Sequence, residues 1–249
     1  MIVPSQISLG FSPDDVVVVT GAGRGIGRST AINGAAIGLK VAAWDLDGSY
    51  AEGTAKTIVA AGGRAVAVTA DVTDAAQIDA GLAKSAELGE LRYLVNNAGP
   101  ASASQLEFDD ALEMSVGSMH KVATAWMGRG RLDDAALVNV SSVAGNVIGT
   151  APEWYPTAKA AIMGWTRHLA AYRSDVVRAN AVAPGMTDTR RLADFKETDL
   201  GQRVLTRIPL RRMATPDEIS WAILFLLSPL ASYINGTLLT VDGGWTVTQ

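Results

Sequence analysis

The chain has 249 residues, 48% of them hydrophobic and 18% charged, enough to bury a substantial core in one large domain or two small ones. Its net charge of -4, from 21 basic and 25 acidic residues, argues against nucleic acid or an anionic membrane surface as the main partner. It has no cysteine and only two histidines, His120 and His168, which excludes disulfides, thiolate metal sites and cysteine nucleophiles, and leaves little for a histidine-rich metal site or a Ser-His-Asp triad.

Residues 1–13 lack a cationic start and a continuous apolar core, so they read as a loose lead-in and not as a signal peptide. Short β-branched runs then recur at 16–19, 41–44, 65–69, 93–95, 136–140, 178–182 and 238–241. Stretches rich in Ala, Leu, Lys and Glu separate most of them, with helical spacing at 26–39, 75–88 and 154–172. This alternation predicts an α/β fold: a single doubly wound domain over 1–249, with a mostly parallel seven-stranded sheet and helices on both faces. The first run, valine from Val16 to Val19, suits a strand covered on both sides. Residues 186–215 break the rhythm with mixed charges and read as a long excursion after the sixth strand, where such folds hold substrate. The apolar run 221–227 suits a helix buried against the sheet and against a neighbouring subunit. It falls well short of the roughly 18 residues of a membrane span, so a cytoplasmic location with no membrane partner is the expectation.

The first strand ends in Thr20-Gly21-Ala22-Gly23-Arg24-Gly25-Ile26-Gly27, and a helical pattern follows at once. Strand, glycine turn and helix are the context of a dinucleotide site: glycines let the backbone approach a pyrophosphate, and the helix start offers N–H groups and a positive dipole end. The second strand ends in Asp45, with Leu46 beside it. A carboxylate there accepts hydrogen bonds from the adenosine ribose and repels a 2′-phosphate, which favours NAD over NADP. Arg24 is the counterweight, since a basic residue in the turn can meet that phosphate. The neighbouring Asp47 fits a solvated strand end.

Further along stand Asn96-Asn97-Ala98-Gly99, Ser142 and, thirteen residues later, Tyr155-x-x-x-Lys159. With the glycine turn, Asp71-Val72, Pro184-Gly185 and the closing Val241-Asp242-Gly243-Gly244, this set resembles the short-chain dehydrogenases/reductases over nearly the whole chain. The resemblance implies a Rossmann-type domain and hydride transfer between a nicotinamide and a secondary alcohol or ketone. The chemistry also follows from the residues. Oxidising an alcohol releases a proton, and no well-placed histidine can take it. A phenol with an ordinary pKa near 10 needs a shift of roughly three units, about 4 kcal/mol, to serve near pH 7. Lys159 lies one helical turn from Tyr155 on the same face, and its ammonium favours the phenolate. Ser142 would hold the substrate oxygen near that phenol.

The resemblance carries further roles. Lys159 would also hold the nicotinamide ribose, Asp71 and Val72 would contact adenine, and Asn97, Ala98 and Gly99 would pass near the adenosine ribose and phosphates, Asn97 also bracing the central strands. Pro184, Gly185, Thr187 and Thr189 stand where the family binds the carboxamide. Ser115 falls where many members carry a catalytic asparagine that supports a water-linked proton path. Serine is shorter and lacks the amide's paired donor and acceptor, so the relay would be weaker or need an additional water. Met114, Met119 and Trp126 along one helix point to core or subunit packing, His120 and His168 to structural or surface roles, and Arg211-Arg212 to a solvated stretch. Trp154 and residues 146–153, 100–104 and 186–191 are candidate pocket walls.

The reading is thus an NAD-linked enzyme with Tyr155 as general acid/base, acting on a small or medium-sized substrate, with no metal, as a homo-oligomer (tetramer or dimer). Two alternatives stay open. One is an NADPH-dependent 3-oxoacyl-[acyl-carrier-protein] reductase, with which Arg24 and Arg207-Ile208-Pro209-Leu210 are compatible and Asp45 is not. The other is a protein that binds NAD as a sensor without turnover, for which Ser115 gives some footing.

Overall fold

In the valine strand, successive side chains point to opposite faces of the sheet, and both faces are dry. Val16 and Val18 enter one apolar layer and Val17 and Val19 the other. The computed structural model describes residues 8–129, 133–146, 148, 150, 152–192 and 195–248. It contains seven strands: β1 (Asp15–Thr20), β2 (Lys40–Asp45), β3 (Ala65–Thr69), β4 (Glu90–Asn96), β5 (Ala136–Val140), β6 (Arg178–Pro184) and β7 (Leu238–Val241). They form one sheet in the order β3-β2-β1-β4-β5-β6-β7, and every adjacent pair is parallel. The order reverses between β1 and β4, which places a crevice at their carboxyl ends.

Eight α-helices accompany the strands: α1 (Gly25–Ala36), α2 (Gly48–Ala60), α3 (Ala75–Ala86), α4 (Phe108–Leu112), α5 (Ser118–Met127), α6 (Trp154–Tyr172), α7 (Asp199–Arg207) and α8 (Pro216–Leu227), counted among the described residues. Ile78 and Leu82 of α3, Val122 and Trp126 of α5, and Leu169 of α6 cover one face of the sheet. Ala31 of α1, Ile58 of α2, and Ile219, Ile223 and Leu224 of α8 cover the other. Each such aliphatic side chain contributes about 1.5–3 kcal/mol on burial, so the two layers fix the sheet between them.

Several details differ from the expectations. The first helix stops at Ala36 and not at 39, because Gly38 takes φ +102° and its N–H closes on the Ala35 carbonyl, which turns Leu39 into the core. Helix α3 stops at Ala86 and not at 88. The lead-in is docked over its described part: Leu9 and Phe11 pack on the second layer, and the Phe11 ring meets Tyr93 edge-on at 5.1 Å. Among its described residues the excursion 186–215 holds two 3-10 turns (Arg190–Leu192 and Phe195–Glu197) and α7. Helix α8 buries Ile219, Ile223, Leu224, Leu226 and Leu227 against the sheet, in line with its apolar run. Its start is fixed by a Thr215–Glu218 capping box with Pro216 in the first turn, and Phe225 is 38% exposed. Its end is gripped by the Arg178 guanidinium, which donates to the carbonyls of Leu226, Leu227, Ser228 and Ile234 at 3.0–3.3 Å. Burial pulls the Arg178 pKa down from its ordinary value.

Candidate active site

The glycine turn leaves β1 at the strand-order reversal. Gly27 packs so tightly there that a Cβ would overlap the Gly21 carbonyl, so only glycine fits. Thr20 Oγ1 accepts from the N–H groups of Asn97 (3.0 Å) and Ala98 (3.1 Å), and Asn97 Nδ2 donates to the carbonyls of Thr20 (3.0 Å) and Gly21 (3.1 Å). Asn97 therefore ties the ends of β1 and β4, and 97–99 lies beside the glycine turn. Below it, Asn96 Nδ2 donates to Asn139 Oδ1 at 3.0 Å, joining β4 to β5.

Helices α2, α3, α7 and α8 begin with side-chain caps from Asp47, Asp74, Thr198 and Thr215. Helix α1 begins after Arg24 with no such cap, and α4, α5 and α6 have none either, but α1 alone of these four starts directly from the glycine bend. An uncapped first turn after a glycine bend presents backbone N–H groups and a positive dipole end, which fits a pyrophosphate. The Thr189 methyl lies against Gly25, so the segment after β6 walls this turn. Asp47, expected as a solvated strand end, caps α2, and the Ser49 hydroxyl holds its carboxyl below the ordinary range.

At the end of β2 the Asp45 carboxylate is oriented by two backbone donors: Oδ2 accepts from Gly23 N at 2.9 Å and Oδ1 from Asp47 N at 3.1 Å. The Arg24 guanidinium lies 3.9 Å from the centre of the Tyr50 ring, on the same rim. Leu46 is 70% exposed beside it. Asp71 Oδ1 accepts from the N–H and hydroxyl of Thr73 at 2.8 and 2.7 Å, and Val72 packs against the core. The Ala70 N–H donates to the Asp45 carbonyl, which links this loop to the β2 end.

Ser142 follows the end of β5 and is half-buried, its Oγ accepting from Ala144 N at 3.1 Å. Tyr155 sits in the first turn of α6, half-buried, with the buried Trp154 ring edge-on at 5.5 Å. Trp154 thus backs the tyrosine. Lys159 Nζ lies 5.6 Å from the centre of the Tyr155 ring and donates to the Val140 carbonyl at 3.0 Å. Ser115 is buried in a π-helical turn, Glu113–Gly117, between α4 and α5. Lys121 Nζ ties that turn to the Asp71 loop, donating to Glu113 Oε1 (2.6 Å) and the Thr73 carbonyl (3.0 Å). Pro184 accepts from Val143 N, Gly185 N donates to the Val241 carbonyl, and the buried Thr187 hydroxyl donates to the Gly185 carbonyl at 3.1 Å.

The structure therefore gathers the glycine turn, Asp45, 97–99 and Thr189 at one part of the carboxyl edge, and Ser142, Tyr155 and Lys159 at the β5–α6 end. Sequence reasoning missed Thr20, Lys121, Ser141 and the side-chain role of Asn146. A hydroxyl before the first glycine and a serine pair after β5 were the visible signals. Pocket candidates 147, 149 and 151 lie outside the described residues, and Asn146 turns its amide toward α6. His120 and His168 are exposed and lie against Trp165 and Tyr172. Met119 and Trp126 are buried, while Met114, in the π turn, is 40% exposed. Arg212 is ion-paired with Glu218 at 2.6 Å. Among the described residues no group of three or more His, Cys, Asp or Glu is placed to hold a metal, and no helix is long and apolar enough to cross a membrane.

Residues 21–246 match the family model described as enoyl-(acyl carrier protein) reductase. The chain belongs to the short-chain dehydrogenases/reductases. It is 36% identical to 2-(S)-hydroxypropyl-CoM dehydrogenase 3 of Xanthobacter autotrophicus, over 94% of this chain and 97% of that protein. It is 38% identical to cis-4-hydroxycyclohexanecarboxylate dehydrogenase of Sinomonas cyclohexanicum, over 93% and 96%. Among solved structures, a short-chain dehydrogenase/reductase of Brucella melitensis superposes with a TM-score of 0.87 at 25% identity, covering 96% of this chain and 99% of that one.

Proposed function

We propose that this protein is an oxidoreductase that interconverts a secondary alcohol and a ketone with NAD(H), using Tyr155 as general acid/base. The observation that carries the reading is the placement of Tyr155 and Lys159 on one face of α6, with the lysine ammonium 5.6 Å from the phenol ring, beside Ser142 at the carboxyl end of β5.

The bound nicotinamide supplies hydride acceptance and donation. Every other task falls to the chain. The uncapped first turn of α1 binds the pyrophosphate through Gly25, Ile26 and Gly27. Asp45 binds the adenosine ribose, its two oxygens already aimed by Gly23 N and Asp47 N. Leu46, Asp71 and Val72 flank the adenine, and Asn97, Ala98 and Gly99 line the ribose path. Pro184, Gly185, Thr187 and Thr189 close over the carboxamide end. Ser142 donates to the substrate oxygen and keeps it near the phenol. In the oxidising direction the Tyr155 phenolate removes the hydroxyl proton, and in the reducing direction the phenol returns it. Lys159 steadies the phenolate and holds the nicotinamide ribose. Ser115 lies on the proton path to bulk water.

NAD is the cofactor this arrangement favours, because the Asp45 carboxylate occupies the ribose corner. Arg24 on the same rim supports NADPH as a second reading. Homo-oligomer formation and a cytoplasmic location belong to the same proposal, with Phe225, Leu230 and Tyr233 as exposed apolar candidates for subunit contact. The test is Tyr155→Phe, assayed with NAD on a panel of secondary alcohols. Turnover should fall by about 10²–10⁴-fold while NADH binding, followed by fluorescence, persists. A Phe variant that keeps its activity refutes the assignment, and a native chain inactive on the whole panel favours a sensing role.

A further inference from the structure

Ser142 and the Tyr155–Lys159 pair come from different elements, and their mutual placement decides whether the proposed chemistry can run. Among the described residues Lys159, Ser141 and Asn146 join those elements: Lys159 Nζ reaches the Val140 carbonyl at 3.0 Å, and the other two meet at the Lys159 carbonyl. Asn146, half-buried in the turn after β5, donates through Nδ2 to the Ser142 carbonyl at 2.8 Å, to Ser141 Oγ at 3.0 Å and to the Lys159 carbonyl at 3.3 Å. Ser141 Oγ donates to the same Lys159 carbonyl at 2.8 Å. The turn bearing Ser142 and the helical turn bearing Lys159 thus share one hydrogen-bonded knot.

Backbone packing closes the knot from the other side. Gly145, at φ +81°, lies so near Pro156 that a Cβ there would overlap the Pro156 carbonyl oxygen. Pro156 directly follows Tyr155. The strand side is anchored as well, by Val143 N to the Pro184 carbonyl and Ser141 N to the Val182 carbonyl. Between these anchors, Asn146 is the side chain that reaches from the Ser142 backbone to the Lys159 backbone.

We propose that Asn146 is a positioning residue: its amide sets the separation of the Ser142 hydroxyl and the Tyr155 phenol by pinning the Ser142 and Lys159 backbones to each other. The inference rests on the dehydrogenase reading above. The need is for an amide in particular. Three oxygens converge on Nδ2, and a primary amide offers two hydrogens to them. A carboxylate of the same shape offers none and repels the two carbonyls. A serine offers one hydrogen on a shorter arm.

The test uses the full chain with Asn146→Ala, Asn146→Ser and Asn146→Asp. NAD stoichiometry and Kd come from fluorescence titration, stability from thermal unfolding, and kcat per NAD-binding site from turnover of the best alcohol, protiated and deuterated at the carbinol carbon. The kcat per site should fall by about 10- to 100-fold in the Ala variant, further in Asp and less in Ser, with the Kd for NAD within about twofold of native. The deuterium isotope effect should reach its full size, because the misaligned chemical step then limits turnover. A residue that only supports the fold lowers the unfolding midpoint and the number of NAD sites and leaves kcat per site unchanged, which overturns the proposal. Should Asn146→Ala not fold, equal kcat per site in the Ser and Asp variants overturns it instead. A native chain that turns over no alcohol removes the dehydrogenase reading and this role together. An active native chain beside an unchanged Asn146→Ala removes this role alone.

Discussion

Replacing Asp45 by alanine tests the cofactor corner directly. Both oxygens of this carboxylate are held by backbone donors, Gly23 N at 2.9 Å and Asp47 N at 3.1 Å, so it cannot swing away from an incoming group. A 2′-phosphate charge at about 4 Å would meet roughly 4 kcal/mol of repulsion at an effective dielectric near 20, and roughly 1 kcal/mol in bulk water. Asp45 is half-buried, which places the penalty between those limits. At about 1.4 kcal/mol per tenfold, removing the charge should move the NAD-to-NADP ratio of kcat/KM toward NADP by about 10- to 10³-fold. Arg24 stays on the rim to meet the phosphate. The two freed N–H groups can turn to water, so the stability cost should be about 1 kcal/mol. The assay is initial-rate kinetics with both cofactors on native and variant protein, with thermal unfolding as the control. A native preference for NADP, or a ratio unmoved by the substitution, refutes the reasoning.

Arg178→Met should destabilise the fold by about 3 kcal/mol or more, because three carbonyls at the end of α8 and that of Ile234 beyond it lose a charged donor at once. For a chain of this size that is a fall of roughly 6–12 °C in thermal midpoint, readable by calorimetry, and a fall under about 2 °C contradicts it. Glu218 supplies a pH dependence. The Arg212 guanidinium hydrogen-bonded to it, with the Thr215 N–H, brings its pKa from 4.5 down to about 2. A carboxyl depressed on folding adds stability above its unfolded value and loses it as pH falls, so this contribution should fade between pH 4.5 and about 2. The side chain is 42% exposed, so after solvent screening the effect is about 1 kcal/mol at most. Arg212→Ala should flatten that part of the acid stability curve, measured by urea unfolding at stepped pH.

The seven strands were legible because β-branched runs mark them and the fold buries both faces of each central one. The glycine turn was legible because its spacing sits between a strand and a helix, and Ser142, Tyr155 and Lys159 because they combine a strand end with one helical turn. The break in α4–α5 was not. Residues 108–127 carry continuous helical spacing, and the wide turn at Glu113–Gly117 is closed by contacts made after folding: Glu113 folds over Gly117, and Lys121 reaches across to the Thr73 carbonyl. Helix α7 was hidden in a charged stretch whose partners, Ile208 and Trp245, belong to a small separate cluster. The work of Asn146 was hidden for another reason: its acceptors lie on two elements that only the tertiary fold brings together.

The bare opening of α1 has a consequence for how such a chain can change over time. In the function proposed above, the grip on the dinucleotide is made by the main chain, which no substitution rewrites short of breaking the bend that shapes it. The substrate wall proposed for the described residues between Met186 and Thr215, by contrast, is made of interchangeable side chains on short turns and one brief helix. Selection can therefore remould the substrate wall while the electron carrier's seat is inherited intact.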